Sequence, residues 1–138
     1  MSKKKIALFS TIAIVLLVGV CAFLSPWAKK PFANLNSEEI VSIAVCATPP
    51  NETKLIEDKD TIREIIDVLK TVEIYQKGDY SDYSGQLVRF SLTMESGEII
   101  EVGAYNPFII IDGQAYKTKY KPCEKLNSLG NKLLRTGF

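Results

Sequence analysis

The longest apolar run of the chain lies near its start. Residues 6–24 read IALFSTIAIVLLVGVCAFL and contain no charged side chain in nineteen positions. A helix rises ~1.5 Å per residue, so the run spans about 28 Å, close to the ~30 Å of a membrane hydrocarbon core. Three lysines precede the run and two follow it, which favours a cytoplasmic N-terminus. Residues 1–28 are therefore predicted to form a signal-anchor with one transmembrane helix, and the remainder to be extracytoplasmic.

Two other interpretations of this run stay open. In the first, it belongs to a signal peptide, because the small residues around Cys21 allow cleavage after Ala22 and secretion of the remainder. In the second, Cys21 is the modified cysteine of a lipoprotein, although Val20 before it is not a small residue. The anchor places the protein in the cell membrane, whereas cleavage near Ala22 places it outside the cell.

Beyond the apolar run, the chain is predicted to form a juxtamembrane linker over residues 29–37 and one domain over residues 38–138. About 100 residues are enough for one modest hydrophobic core. Alternation of apolar and polar positions predicts seven strands, at 39–47, 53–56, 72–76, 86–95, 98–105, 108–111 and 115–118. Ser96-Gly97 and Asp112-Gly113 are hairpin turn signals between them.

Two stretches have apolar residues at helical spacing. The first follows Asp58, a suitable N-cap, and the second begins at Pro122, a residue favoured at the first position of a helix. The apolar positions are Ile62, Ile65, Ile66 and Leu69 in the first, and Cys123, Leu126, Leu129, Leu133 and Leu134 in the second. We therefore predict an α+β fold, in which an N-terminal transmembrane helix precedes a small antiparallel sheet with two amphipathic helices packed on one face.

Charge and histidine content exclude several classes of function. Three of the seventeen basic residues precede the apolar run and all sixteen acidic residues follow it, so the outer part carries a net charge of −2. This argues against nucleic acid as a partner and leaves no polybasic surface for anionic lipid beyond Lys29 and Lys30. The chain has no histidine, the commonest general base and zinc ligand. We expect a non-enzymatic protein without catalytic residues, metal or cofactor.

Two cysteines belong to the predicted outer domain. Cys46 and Cys123 form an even pair in an exported segment, where a disulfide is permitted. The alternative is two separate buried thiols, because free cysteine packs as a small hydrophobic residue. Both interpretations remain open at this point.

A loop and a turn contain the candidate ligand-binding residues. Tyr80, Asp82 and Tyr83 lie in the polar stretch between two predicted strands, and Tyr105 and Phe108 flank the turn at Asn106-Pro107. Together they offer an aromatic rim for a peptide or glycan. The alternative is a solvated loop, with Tyr105 and Phe108 packed in the domain.

A basic-aromatic run follows the last predicted hairpin. It comprises Tyr116, Lys117, Lys119, Tyr120 and Lys121. Such a run suits an anionic polymer, for example one of the cell wall. A solvated strand end is the simpler interpretation, because lysine and tyrosine are ordinary surface residues there.

Five segments of the outer part are distinctive, namely 48–50 (TPP), 83–86 (YSGQ), 104–108 (AYNPF), 111–113 (IDG) and 118–127 (TKYKPCEKLN). Together they resemble a family of small membrane-anchored extracytoplasmic proteins of Gram-positive, gut-type anaerobic bacteria. The resemblance covers roughly residues 31–135 and extends to outer tails of some penicillin-sensor-type membrane metallopeptidases. It implies membrane attachment but no catalytic residues, since the family has no established function. The helical zinc motif of those peptidases is absent from this sequence, so peptidase activity is not implied.

These observations favour a tethered binding or sensory module that contacts an envelope protein or a cell-wall-derived ligand. One alternative is an accessory subunit of a membrane complex, acting through the small residues Gly19, Cys21 and Ala22 of its helix. Another is a glycan hydrolase, which needs two carboxylates ~5–9.5 Å apart across a cleft. Its candidates are Asp79, Asp82, Glu95 and Glu98.

Overall fold

The structure, a computed structural model, describes Lys3 and residues 28–136. The predicted membrane run at residues 6–24 lies outside the described residues, and no helix among the described ones is long and apolar enough to cross a bilayer. A short 3-10 turn at Ser37–Glu39 precedes the first strand. The elements that follow are β1 Ile40–Thr48, β2 Glu52–Ile56, α1 Lys59–Leu69, β3 Ile74–Lys77, β4 Leu87–Met94, β5 Ile99–Tyr105, β6 Phe108–Ile111, β7 Gln114–Thr118 and α2 Tyr120–Arg135.

The strands form one seven-stranded sheet in the order β2-β1-β4-β5-β6-β7-β3. Every neighbouring pair is antiparallel. The prediction of an α+β fold with an antiparallel sheet and two helices is confirmed. The buried side chains of both helices share one hydrophobic core with one face of the sheet, which we call the inner face. Its side chains from the central strands include Val45, Phe90 and Val102.

A β-bulge changes the expected face of one residue in β1. Simple alternation predicts Val41 on the same face as Ile43, but Val41 is exposed and Ile40 is buried instead. Ile40 pairs with Met94 and Ser42 pairs with Thr93, so Val41 is the extra residue of the bulge. An extra residue shifts the alternation by one position. The inward pattern therefore starts at Ile40 and resumes at Ile43.

The first helix has the predicted side-chain cap, whereas Lys119, the N-cap of α2, makes no side-chain capping hydrogen bond. The carboxylate of Asp58 accepts a hydrogen bond from the Thr61 amide at 2.9 Å, as predicted for an N-cap. Helix α2 begins at Tyr120, two residues before Pro122, which still lies in the first turn. Near its middle, Gly130 lets the helix approach the sheet, because a Cβ atom there would lie 2.3 Å from Cγ1 of Val88.

Residues 29–37, the predicted juxtamembrane linker, pack against the domain. The amide and carbonyl of Lys29 pair with the carbonyl and amide of Ile74, each at 2.8 Å, so this segment adds a bridge at the β3 edge. Phe32 is buried in the main core and Leu35 packs against it. A segment bonded at its first residue and buried at its fourth is not a flexible tether.

The other face of the sheet, the outer face, carries a second and smaller cluster. Tyr105, Phe108 and Ala115 are buried there, and Leu87 and Ile110 pack against them. The strand register explains the grouping, because Tyr105 lies opposite Phe108 and Ile110 lies opposite Ala115. The helices lie on the inner face, so this cluster needs another cover.

Candidate functional site

The loop that joins β3 to β4, residues 78–86, covers the small cluster on the outer face of the sheet. We call it the tyrosine loop. A turn opens it, because the Asp79 carboxylate accepts a hydrogen bond from the Ser81 amide at 2.9 Å. That hydrogen bond lowers the pKa of Asp79 below its ordinary value. A second turn follows, in which the Tyr83 amide donates to the carbonyl of Tyr80 at 3.0 Å. The two turns bring Tyr80 and Tyr83 back over the outer face.

Four aromatic rings meet where this loop crosses the sheet, and we call them the aromatic cluster. The ring centroids of Tyr80 and Tyr105 are 5.4 Å apart and those of Tyr80 and Phe108 are 6.3 Å apart. Tyr83 meets Phe108 edge to face at 4.9 Å. These separations lie within the favourable range for aromatic pairs. The structure thus brings together four of the five predicted ligand-binding residues.

The cluster has a buried base and an exposed upper layer. Phe108 is 2% exposed and Tyr105 9%, whereas Tyr80 is 38% exposed and Tyr83 51%. The hydroxyl of Tyr105 donates a hydrogen bond to the carbonyl of Tyr83 at 2.7 Å, which fixes the loop to the sheet. Tyr105 and Phe108 are therefore packed in the domain, as the second of the two interpretations predicted, and do not form an exposed rim. They support the two tyrosines that solvent reaches.

Gly78 allows the loop to leave β3 directly above Phe108. A Cβ atom at this position would lie 2.6 Å from Cε1 and 3.0 Å from Cδ1 of the Phe108 ring. Carbon atoms in ordinary contact lie ~3.5–4.0 Å apart, so any larger residue displaces the ring or the loop. The glycine is a local requirement of the aromatic cluster.

A small pocket of about 110 Å³ adjoins Tyr80 on the outer face. Leu87 and Ile110 supply apolar atoms, and Arg89 and Glu101 supply charges of opposite sign. The Arg89 guanidinium makes no hydrogen bond or ion pair within residues 28–136. An apolar floor beside an unpaired charge suits a small amphipathic group of a ligand. Sequence reasoning missed Leu87, Arg89 and Ile110, although alternation along β4 already placed the first two on one face.

Asp82, the fifth predicted ligand-binding residue, is exposed in the tyrosine loop. Its carboxylate forms no hydrogen bond or ion pair with any other described residue. The structure separates it from Glu95 and Glu98, which follow the far end of the eight-residue strand β4. Eight residues of strand span about 26 Å, so no cleft pairs a loop carboxylate with either glutamate. Within the described part of the chain, no cluster of three potential metal ligands occurs.

The two cysteines are free thiols on opposite faces of the sheet. Cys46 is partly exposed and alternates with the inward-facing Val45 and Ala47, so it lies on the outer face. Cys123 is buried in the main core on α2, and its thiol donates to the carbonyl of Phe108 at 3.4 Å. Burial raises the pKa of Cys123 to about 12. The disulfide considered from the sequence is not formed here.

Lysines from two distant segments meet at one end of the sheet, which we call the basic end. Its members are Lys29, Lys30, Lys117, Lys119 and Lys121, all exposed. Pairing of Lys29 with Ile74, and of Ile74 with Thr118, brings the segments together. This corrects the expectation that the basic surface is limited to the first two lysines.

Glu73 is the acidic centre of the basic end. Its carboxylate contacts the ammonium group of Lys119 at 2.6 Å and that of Lys30 at 4.0 Å. The hydrogen bond from Lys119 lowers the pKa of Glu73, and the same contact raises the pKa of Lys119. One carboxylate thus balances only part of the lysine charge.

Comparison with protein-family models, curated proteins and solved structures finds no match to this chain. Among the described residues, the aromatic cluster and the basic end are the two candidate contact surfaces. Of these two, the aromatic cluster has exposed rings on a fixed base.

Proposed function

We propose that the protein is a non-enzymatic extracytoplasmic binding or sensory module, held at the cell membrane by one helix. Tyr80 and Tyr83 present its contact surface to an envelope protein or a cell-wall-derived ligand. The observation that carries the proposal is that both exposed rings rest on buried Tyr105 and Phe108. Tyrosine is enriched in the central contacts of binding surfaces, since its ring is apolar and its hydroxyl is polar.

Rigidity of the tyrosine loop supports this assignment. Binding costs conformational entropy when exposed side chains must be ordered, about 0.5–1.5 kcal/mol for each mobile side chain. The ring contacts and the hydrogen bond from Tyr105 to the Tyr83 carbonyl already restrict the loop before any ligand arrives. A preordered aromatic surface loses less free energy on binding than a mobile one.

The attachment of residues 29–37 supports the sensory part of the proposal. The backbone pairing of Lys29 with Ile74 and the burial of Phe32 join the segment after the predicted helix directly to the sheet. A displacement of the domain is then transmitted to the segment that leads into the membrane, whereas a flexible linker absorbs it. Membrane attachment also agrees with the resemblance to small membrane-anchored proteins.

The decisive experiment compares envelope contacts of two variants in the native host. Tyr80→Ala/Tyr83→Ala removes the exposed rings and leaves the buried base intact. Its control, Leu55→Ala/Ile99→Ala, removes two other exposed apolar side chains of the same sheet. We expect crosslinked partners recovered with the wild type and the control to be lost from the tyrosine variant. Equal recovery from all three would refute the assignment of the surface.

Two alternatives are separated by further measurements. An accessory subunit acting through its membrane helix loses function when residues 1–28 are replaced by an unrelated anchor, whereas an outer binding module retains it. A secreted protein is found in the medium with a mass that lacks about the first 22 residues. Full-length chain released from the membrane fraction only by detergent supports the tether.

A further inference from the structure

We propose that the basic end docks on anionic lipid headgroups of the membrane that anchors the protein. The docked surface comprises Lys29, Lys30, Lys117, Lys121 and the exposed ring of Tyr120. This proposal rests on the membrane anchor of the proposed function and adds a lipid partner and a fixed orientation to it.

Chain geometry keeps this end of the sheet close to the predicted anchor. Leu24 ends the apolar run, and Lys29 is already hydrogen-bonded to Ile74 of β3. Five residue steps separate them, and an extended chain spans at most ~3.3–3.6 Å per residue. The basic end therefore lies within about 18 Å of the end of the apolar run. No other part of the described domain is tied to the anchor by so short a segment.

The charge of this end suits an anionic surface. Lys117 and Lys121 form no hydrogen bond or ion pair in the described part of the chain. Among nearby carboxylates, Glu73 engages Lys119 and Lys30, and Glu124 lies one turn further along α2. The lysines still outnumber the carboxylates. Juxtamembrane lysines are attracted to anionic lipid, and the attraction acts within a Debye length of ~10 Å at 0.1 M salt.

Tyr120 adds the aromatic group that membrane interfaces favour. It is the first residue of α2 and 61% exposed, between Lys119 and Lys121. Tyrosine is enriched at the headgroup level of membranes, where its ring and its hydroxyl both find suitable surroundings. Without a membrane beside the basic end, this large exposed ring would lie in water. An aromatic ring flanked by lysines matches the chemistry of an anionic lipid surface.

The test uses the full chain in lipid vesicles and tryptophan fluorescence. Trp27 is the only native tryptophan, so Trp27→Phe/Tyr120→Trp carries a single reporter at the basic end. Trp27→Phe/Ile99→Trp is the matched control, because position 99 starts β5 at the opposite end of the sheet, about 20 Å along the strand. Vesicles of phosphatidylglycerol or of phosphatidylcholine, each with a small fraction of lipid spin-labelled at its headgroup, then quench any tryptophan at the headgroup level.

We expect the reporter at position 120 to be quenched in phosphatidylglycerol vesicles and released by high salt, and the one at position 99 to stay unquenched. In the variant with the reporter at position 120, the further substitutions Lys117→Gln/Lys121→Gln should lower the ratio of docked to undocked domain about 25-fold, because each lysine contributes a factor of about five. Lys132→Gln/Arg135→Gln, which removes two exposed basic side chains at least about 17 Å further along α2, should leave it unchanged.

Four results would overturn the proposal. Equal quenching in neutral and anionic vesicles would assign the contact to the tether alone. Absence of quenching in anionic vesicles, while the chain still floats with them, would refute docking and leave the anchor standing. A change in the fluorescence of the reporter at position 120 with soluble polyphosphate, but not with vesicles, would assign the lysines to an anionic polymer. A chain that does not float with vesicles would refute the anchor and the docking together.

Discussion

Replacing Tyr105 by phenylalanine removes one oxygen atom from the base of the aromatic cluster. The lost hydroxyl donates to the carbonyl of Tyr83 at 2.7 Å. The ring stays, so its contact with Tyr80, at a centroid separation of 5.4 Å, is preserved. The substitution therefore tests the single hydrogen bond that fixes the tyrosine loop to the outer face.

The structure sets the size of the effect. A hydrogen bond between uncharged groups contributes about 0.5–1.5 kcal/mol to stability. Tyr83 is an exposed residue, so water can reach its carbonyl once the loop loosens, which favours the lower half of that range. A loss of about 0.5–1 kcal/mol corresponds to about a two- to five-fold increase in the open population of the loop. Global stability should fall by no more than the same amount.

Hydrogen exchange measures this change directly. The amides of Ser81 and Tyr83 are hydrogen-bonded within the loop and report its opening. Tyr116→Phe is the matched control, because Tyr116 is half-buried and its hydroxyl has no partner in the described part of the chain. We expect faster exchange at both amides in Tyr105→Phe only. Unchanged loop exchange in Tyr105→Phe would show that the hydrogen bond does not fix the loop.

Three other predictions concern the core, the ion pair and the thiols. Gly130→Ala should lower the free energy of unfolding by about 1 kcal/mol in denaturant titrations, since an overpacking cost of about 1–3 kcal/mol exceeds a helix gain of about 1 kcal/mol. The contact with Lys119 lowers the pKa of Glu73 in the folded state. The contact therefore stabilises the fold fully at pH values above the ordinary pKa of 4.5, and this stabilisation is lost as the pH falls through the folded-state pKa. Glu73→Gln should make the free energy of unfolding depend less on pH in this acidic range. Mass mapping after alkylation should show modification of Cys46 in the native protein and of Cys123 only after unfolding, because burial keeps the latter as a thiol.

Local sequence signals predicted most elements of the domain. Asp58 is a cap with an apolar stripe directly after it, and Asp112-Gly113 forms its turn with positive φ at both residues. These features depend on neighbours in sequence. The position of Val41 depends on a bulge opposite β4, which alternation within β1 does not reveal.

The functional surfaces depend on contacts between distant segments. Tyr83 and Phe108 are far apart in sequence, and only the fold of the tyrosine loop over the outer face shows which aromatic rings are buried. Lys30 and Lys119 are more distant still, and both contact Glu73 because their segments flank β3. Sequence reasoning named the tyrosines and both lysine segments, but it had no means to join them.

The most direct test of the proposed binding surface is photo-crosslinking from position 83 in living cells of the native host. A photoreactive phenylalanine analogue at this position keeps an aromatic ring above Phe108, and the same analogue at position 99 serves as the control. We expect a discrete envelope adduct from position 83, retained in the membrane fraction, and none from position 99. No adduct from position 83, or the same adducts from both positions, would contradict the assignment of the tyrosine loop as the contact surface.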